Sequence, residues 1–205
     1  DYAGWLHGQG LAPASLARHI VSLRLFLRYL QLEGALTTNQ AELLGSPQIW
    51  ERIPKVLTPQ QVEALLDSPK PRDPYYRRNR AILEFLYATG CRVSEVANLR
   101  MEDVHLSEGY CVCRGKGNKQ RVVPLGNRAI VRFQEYVDQE RGQLVQKGSG
   151  DPPWAFLSYR GRRIRRERIW EILKFHALRE GLPSDISPHT LRHSFATHLL
   201  AGGVD

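Results

Sequence analysis

Three short stretches carry side chains suited to gripping a phosphate. In residues 187–193 (Ser-Pro-His-Thr-Leu-Arg-His), Ser187 is a good helix N-cap and Pro188 suits the first helical position. His189 and Arg192 then stand three apart on neighbouring faces of one helix start. Helix N-termini attract anions, so an imidazole and a guanidinium there describe a phosphate site. They equally suit a buried helix whose His and Arg only make hydrogen bonds. The second stretch holds Arg92, with Glu95 three residues on to hold its guanidinium. An arginine wedged between core helices is costly unless paired, so a structural ion pair is the plainer reading. The third is Gly115-Lys116-Gly117-Asn118-Lys119, which places Lys116 at a hairpin tip. No Gly-x-x-x-x-Gly-Lys-Ser/Thr accompanies it, and a solvated turn lysine reads as well. His189 and His193 have the spacing of a zinc helix, yet no Glu follows the first His and Arg192 would put a positive charge beside the metal. No metal is expected.

The remaining charge points the same way. Arg160, Arg162, Arg163, Arg165, Arg166 and Arg168 fall within nine positions, with Glu167 the only acid. Such a run is either a solvated face or a surface that contacts phosphates. Arg18, Arg24 and Arg28 lie off the apolar stripe of an early helix, where they are solvating or groove-facing. The 205 residues carry 29 Lys and Arg against 21 Asp and Glu, a net charge of +8, which favours a nucleic-acid partner ahead of a membrane. No apolar run nears the ~18 residues of a transmembrane helix, and no signal peptide is visible. Three cysteines, an odd number without Cys-x-x-Cys spacing, read as reduced cytosolic thiols. The start at Asp1 without Met and the stop just after Gly202-Gly203 look cut. A hydrophobic content of 42% supplies a real core.

The elements that must position these residues are mostly helical. Asp1–Gly10 reads as the tail of one helix. Pro13 and Ser15 open the next, with Leu16, Ile20, Leu23, Leu27 and Leu30 at steps of three and four and Gly34 closing it. A short helix is expected near Gln40–Leu44. Residues 46–58, with two prolines and no period, read as a linker. Thr58-Pro59-Gln60-Gln61 starts a fresh helix through Val62, Leu65 and Leu66. Residues 76–89 are apolar nearly all round after a basic start, a core helix ended by Gly90. A short helix through Val93, Val96 and Leu99 follows. Residues 110–114 and 120–125 alternate as strands, 128–141 read as a helix, and Ala155–Tyr159 as a short extended piece. A helix through Ile169, Ile172, Leu173 and Leu178 ends at Gly181. The last helix carries an apolar stripe of Leu191, Phe195 and Leu199. The fold class is mainly α with a small antiparallel β-sheet.

Four features stand in order: Ala88-Thr89-Gly90-Cys91-Arg92-Val93-Ser94-Glu95, Gly115-Lys116-Gly117-Asn118-Lys119, Val123-Pro124-Leu125, and Pro188-His189-Thr190-Leu191-Arg192-His193. Together they closely resemble the tyrosine recombinases, in the Xer branch of the phage-integrase superfamily, over nearly the whole chain. The resemblance implies a helical core-binding domain at 1–45, a linker at 46–58 and a catalytic domain at 59–205. It implies that the two domains clamp a DNA duplex. It makes Arg92 and Arg192 the paired arginines, Lys116 the hairpin lysine, His189 the His of His-x-x-Arg, and Glu95 a supporting acid. These residue types suit phosphoryl transfer without a metal or other cofactor. Two guanidiniums clamp the non-bridging oxygens as charge grows, a lysine protonates the leaving 5′ oxygen, and a His takes or holds the nucleophile's proton. In the family a tyrosine attacks the scissile phosphate to give a 3′-phosphotyrosine, with no ATP. A further His or Trp and that tyrosine lie downstream of His-x-x-Arg, beyond residue 205, so this chain alone is expected not to cleave. DNA contacts are expected from Arg18, Lys119, Arg121, Arg160, Arg162, Arg163 and Arg165. The expected partners are double-stranded DNA at a specific site and, at full length, a homo- or hetero-tetramer on two duplexes. No membrane partner is expected, and the location is the cytoplasm, at the nucleoid. A DNA-binding protein of this fold without cleavage, and a topoisomerase-like nicking enzyme of type IB, are the rival readings.

Overall fold

The computed structural model describes residues 2–38, 56–115, 117 and 119–203. The chain divides into two compact units, Asp1–Ile53 and Pro54–Asp205. The expected short helix near Gln40–Leu44, most of the 46–58 linker, and Lys116 lie outside the described residues.

In the first unit, helix α1 spans Tyr2–Gly8 and α2 spans Pro13–Leu32, with the proline at its first position. Gly34 adopts φ +73°, which lets the chain turn back so that Ala35 donates to the Leu30 carbonyl at 2.9 Å. Ala17 and Ile20 are buried, flanked by the half-buried Leu16, Leu23, Leu27 and Leu30 of the expected stripe. Val21, Leu25, Phe26 and Tyr29 are exposed on the same helix.

The second unit opens with α3, Pro59–Asp67. Its N-terminus closes reciprocally: Gln61 N–H donates to Thr58 Oγ1 at 3.2 Å, and Thr58 N–H to Gln61 Oε1 at 2.9 Å. Helix α4, Tyr76–Thr89, runs through the middle of the core, burying Ala81, Ile82, Leu83, Phe85 and Leu86. Phe85 meets Phe133 and Phe156 at ring separations of 5.8 and 5.7 Å, and Tyr136 stacks on Phe156 at 5.8 Å. Helix α5 is short, Val93–Ala97. A three-stranded antiparallel sheet follows in the order β1 (Val104–His105), β2 (Tyr110–Arg114) and β3 (Gln120–Pro124). Cys111 pairs with Val123 and Cys113 with Arg121. Strand β1 has two residues, too few for an alternation to announce it.

Helix α6 spans Asn127–Tyr136 and continues through a π-helical stretch, Val137–Arg141, into α7, Gly142–Val145. The single helix expected at 128–141 is therefore interrupted. The extended piece pairs through bridges Arg100↔Trp154 and Leu157↔Arg163. Helix α8 spans Arg166–Arg179 and α9 spans Pro188–Ala201. Two details of the expected apolar faces change. Leu178 is exposed, and His176 is buried on α8 in its stead. Leu199 is exposed, so the α9 stripe is buried fully only at Leu191.

Core helix α4 also buries charge. The Arg78 guanidinium donates to the Leu157 carbonyl at 3.1 Å and to the Asn79 side chain at 2.9 and 3.2 Å. Glu84 meets Arg128, which also reaches Glu63 and Asp67. His176 shares a hydrogen bond of 3.1 Å with Ser68, and burial pushes its pKa down from 6.5 to about 4. Below pH 6.5 the unfolded chain takes a proton that folded His176 refuses, so stability falls as pH drops from about 6.5 to about 4. The loss approaches about 3 kcal/mol. Asp73, held at about 2 by its bond to Arg179, acts in the same direction at lower pH. Urea midpoints are expected to fall between pH 7 and pH 4.5, and less steeply in His176→Gln. Equal slopes in the two proteins would count against this assignment.

Candidate active site

Helix α9 brings the first pair of candidate residues. Ser187 Oγ accepts from Thr190 N–H at 3.2 Å, and Ser187 N–H donates back to Thr190 Oγ1 at 3.1 Å, so the expected cap is in place. His189 stands exposed in the first turn, beside the positive end of the helix. Ser194 donates to the Thr190 carbonyl at 2.8 Å and accepts from Leu57 N–H at 2.9 Å, which fixes α9 against the chain entering α3. Phe195 packs edge-on to Tyr87 of α4 at 6.1 Å.

Helix α4 ends where the second piece begins. Gly90 adopts φ +54°, and a Cβ there would lie 2.6 Å from the Phe195 ring, so only glycine lets α9 approach this closely. Arg192 Nη1 donates to the Gly90 carbonyl at 2.7 Å. That bond ties the segment bearing His189 and Arg192 to the turn that bears Arg92. Arg92 is exposed rather than wedged between helices, as its place at the mouth of α5 leaves the guanidinium outside the core. The Glu95 carboxylate accepts from Arg92 N–H at 2.7 Å and from Arg92 Nη1 at 3.3 Å.

Glu95 itself is buried, and its main partner comes from the sheet. Arg121 Nη2 and Nη1 donate to its two oxygens at 2.7 and 3.0 Å, and Arg121 also reaches Cys91 Sγ at 3.5 Å. Burial alone would raise the Glu95 pKa, but the Arg121 bonds and the Arg92 N–H outweigh it and hold the carboxyl below its usual range. Arg121, read from the sequence as a DNA contact, thus has its guanidinium turned onto Glu95. The strand pattern carried the signal: Arg121 shares the inward face with buried Val123 and Leu125. The three thiols beneath are free and buried, and the Cys113 thiol is pushed up to about 12, first by its bond with Cys111. The Lys119 side chain is exposed, and its carbonyl accepts from Gly115 N–H at 2.8 Å across the base of the turn.

The arginine run forms its own surface. Arg160, Arg162, Arg163, Arg165 and Arg168 line an open cleft of about 740 Å³ whose wall includes buried Arg78. Arg160 lies over the Tyr159 ring and Arg163 over Trp154, with Arg163 also donating to Asn98 at 2.5 Å. Arg166 and Arg168 pair with Glu167 and Glu171. Arg78 was missed in the sequence because its place in a core helix looked merely basic. In the first unit, Arg18 lines a small hollow of about 190 Å³ with Ser15, His19 and Ser22. Among the described residues, no three His, Cys, Asp or Glu side chains gather into a metal-holding group, and no helix is long and apolar enough to cross a membrane.

Residues 55–205 match the Phage integrase family. The tyrosine recombinase XerD of Halalkalibacterium halodurans is 43% identical over 204 residues, covering 100% of this chain and 68% of the relative. The XerD of Chlorobaculum tepidum is 42% identical, covering 98% and 66%. Among solved structures, the XerA recombinase superposes with a TM-score of 0.66 at 25% identity, over 100% of this chain and 68% of that one. The XerH recombinase bound to a palindromic difH substrate shares the fold, with a TM-score of 0.73 at 22% identity over 98% and 60%. The chain belongs to the phage integrase family, the tyrosine recombinases, proteins of site-specific DNA recombination. It spans about two thirds of the length of these XerD relatives.

Proposed function

We propose that Arg92, Lys116, His189 and Arg192 are the catalytic residues of a DNA strand transfer, with Glu95 supporting Arg92. The observation that carries this reading is the 2.7 Å bond from Arg192 to the Gly90 carbonyl, which draws the two arginine-bearing segments together. Arg92 and Arg192 clamp the non-bridging oxygens of the scissile phosphate, where negative charge grows during displacement. His189 holds the proton of the attacking hydroxyl, and Lys116 delivers one to the departing 5′ oxygen. The nucleophile is a tyrosine placed after Arg192 in motif order, and the link it forms is a 3′-phosphotyrosine. No step requires a metal. Residues 1–45 act as the helical core-binding domain and 59–205 as the catalytic domain, with the duplex clamped by both. The working assembly is a tetramer on two duplexes, and the place of action is the cytoplasm, at the nucleoid.

Duplex binding rests on phosphate contacts from Arg160, Arg162, Arg163 and Arg165, with Lys119 and Arg18 adding to the footprint. A cleft lined by five arginines of this run supports that reading. With ~6 phosphates neutralised at about 0.9 per contact, log affinity is expected to fall against log salt with a slope of about −5. Fluorescence anisotropy of a labelled duplex at several salt concentrations measures it. Neutralising Arg162 and Arg165 together should flatten the slope by about two contacts. A slope near zero in the parent protein would defeat the reading.

A further inference from the structure

Arg121 joins the sheet to the turn that carries Arg92 through a single buried carboxylate. It stands on β3 opposite Cys113, at the base of the hairpin whose turn contains Lys116. Both of its terminal nitrogens are committed to one carboxylate, Glu95, at 2.7 and 3.0 Å. That carboxylate is almost wholly buried and also receives the Arg92 N–H at 2.7 Å and the Arg92 guanidinium at 3.3 Å. Glu95 is therefore a shared hub. One side is fixed to the sheet through Arg121, and the other to the turn that carries Arg92. The other end of the hub's reach is the hairpin itself: a Cβ on Gly115 would lie 3.5 Å from Glu95 Oε1. A two-pronged guanidinium fixes a carboxylate in orientation as well as place, which a single ammonium cannot do.

We propose that Arg121 is a positioning residue for strand cleavage: by clamping Glu95 it locks Arg92 and the β2–β3 hairpin in one relation, and it does not itself contact DNA. This rests on the recombinase reading above. It makes Arg121 a residue whose removal slows chemistry while leaving duplex affinity in place, since misplacing a phosphate ligand by about an ångström costs on the order of 10²-fold in rate.

The test is a cycle of Glu95→Gln and Arg121→Met, with Arg121→Lys alongside, in the protein carrying the downstream tyrosine. Covalent adduct formation on a nicked substrate and duplex affinity at several salt concentrations are both measured. Arg121→Met is expected to slow adduct formation on the order of 10²-fold, with affinity and salt slope unchanged. Arg121→Lys should recover part of the rate. In the Glu95→Gln background, Arg121→Met should add no more than about a twofold loss, because both changes break one device. Arg121→Met alone leaves Glu95 charged and buried, so it could fail to fold. The double variant removes both charges and keeps the cycle decisive. Three results would overturn the proposal: losses that multiply, a double variant as fast as the parent, or a salt slope reduced by about 0.9 in both backgrounds, the mark of a direct phosphate contact. A parent that binds duplex yet forms no adduct contradicts the recombinase reading instead, and the salt slopes still decide whether Arg121 touches DNA.

Discussion

In a protein extended by the downstream segment proposed to carry the tyrosine, Arg192→Ala is expected to lower the rate of covalent adduct formation on the order of 10³-fold, while duplex affinity falls less than about tenfold. The guanidinium has five donors, and the structure commits one nitrogen to the Gly90 carbonyl at 2.7 Å. Among the described residues its remaining donors meet no hydrogen-bond partner, which leaves them for a phosphate. Charge on the non-bridging oxygens grows in the transition state, so a preorganised donor there is worth most at that moment; losing one such donor elsewhere costs about 10²–10³-fold. Arg192 has a second duty as the tie between α9 and the Arg92 turn, which adds to the loss. Ground-state binding is spread over many phosphate contacts, so one fewer weakens it modestly. Arg192→Lys keeps the charge and loses the fork, and should recover only a small part of the rate. An Arg192→Ala protein with near-parental adduct formation would remove this arginine from the chemistry.

The largest effect on the fold is expected at Gly161, in the middle of the arginine run. It adopts φ +67°, and a Cβ would lie 2.4 Å from the Leu144 carbonyl oxygen and 2.6 Å from Gly148 N. Those neighbours are backbone, so they cannot swing aside as a side-chain tip would. Gly161→Ala should cost about 3 kcal/mol or more, from strained φ and from the displaced loop. The displaced loop carries Arg160, Arg162 and Arg163, so the salt slope of duplex binding should fall with it. Gly150 is the control. It has φ +75° but nothing within 4 Å of a Cβ, so Gly150→Ala should cost only about 1 kcal/mol. Urea denaturation of the three proteins checks this, and a Gly161→Ala protein as stable as Gly150→Ala would contradict it.

Much of this was legible in residue order and much was not, for physical reasons. Thr58, Pro59 and Gln61 announced the start of α3 because a capping box is a local device, and Ser187 with Pro188 did the same for α9. Gly90 marked the end of α4 because an αL cap selects glycine. His189 and Arg192 read as candidates because their spacing on a helix start is itself a signal, and Arg92 because Glu95 follows it by three residues; their roles came from the family resemblance. Pairings across the fold left weaker traces. Nothing adjacent to Arg192 says that it will meet the Gly90 carbonyl, and Arg121 reads as one more cation until its strand register puts it on the inward face. Buried Arg78 and His176 escaped notice because burial of a polar residue depends on partners, Leu157 and Asn79 in one case and Ser68 in the other, that arrive from elsewhere. The π-helical stretch at Val137–Arg141 has no composition of its own to betray it.

The most direct test of the central claim is a trapping experiment on a nicked duplex carrying the recombination site. The protein, extended by the downstream segment proposed to carry the tyrosine, is incubated with that substrate in the presence of a metal chelator, denatured, and run on a gel. The expected result is a covalent complex in which one protein chain is joined through tyrosine to the 3′ phosphate at the scissile position, the short strand between that position and the nick having been released with its 5′ hydroxyl, formed undiminished by the chelator. A protein that binds the same duplex with a steep salt slope and forms no covalent complex, or forms one only when a divalent metal is supplied, would contradict the account.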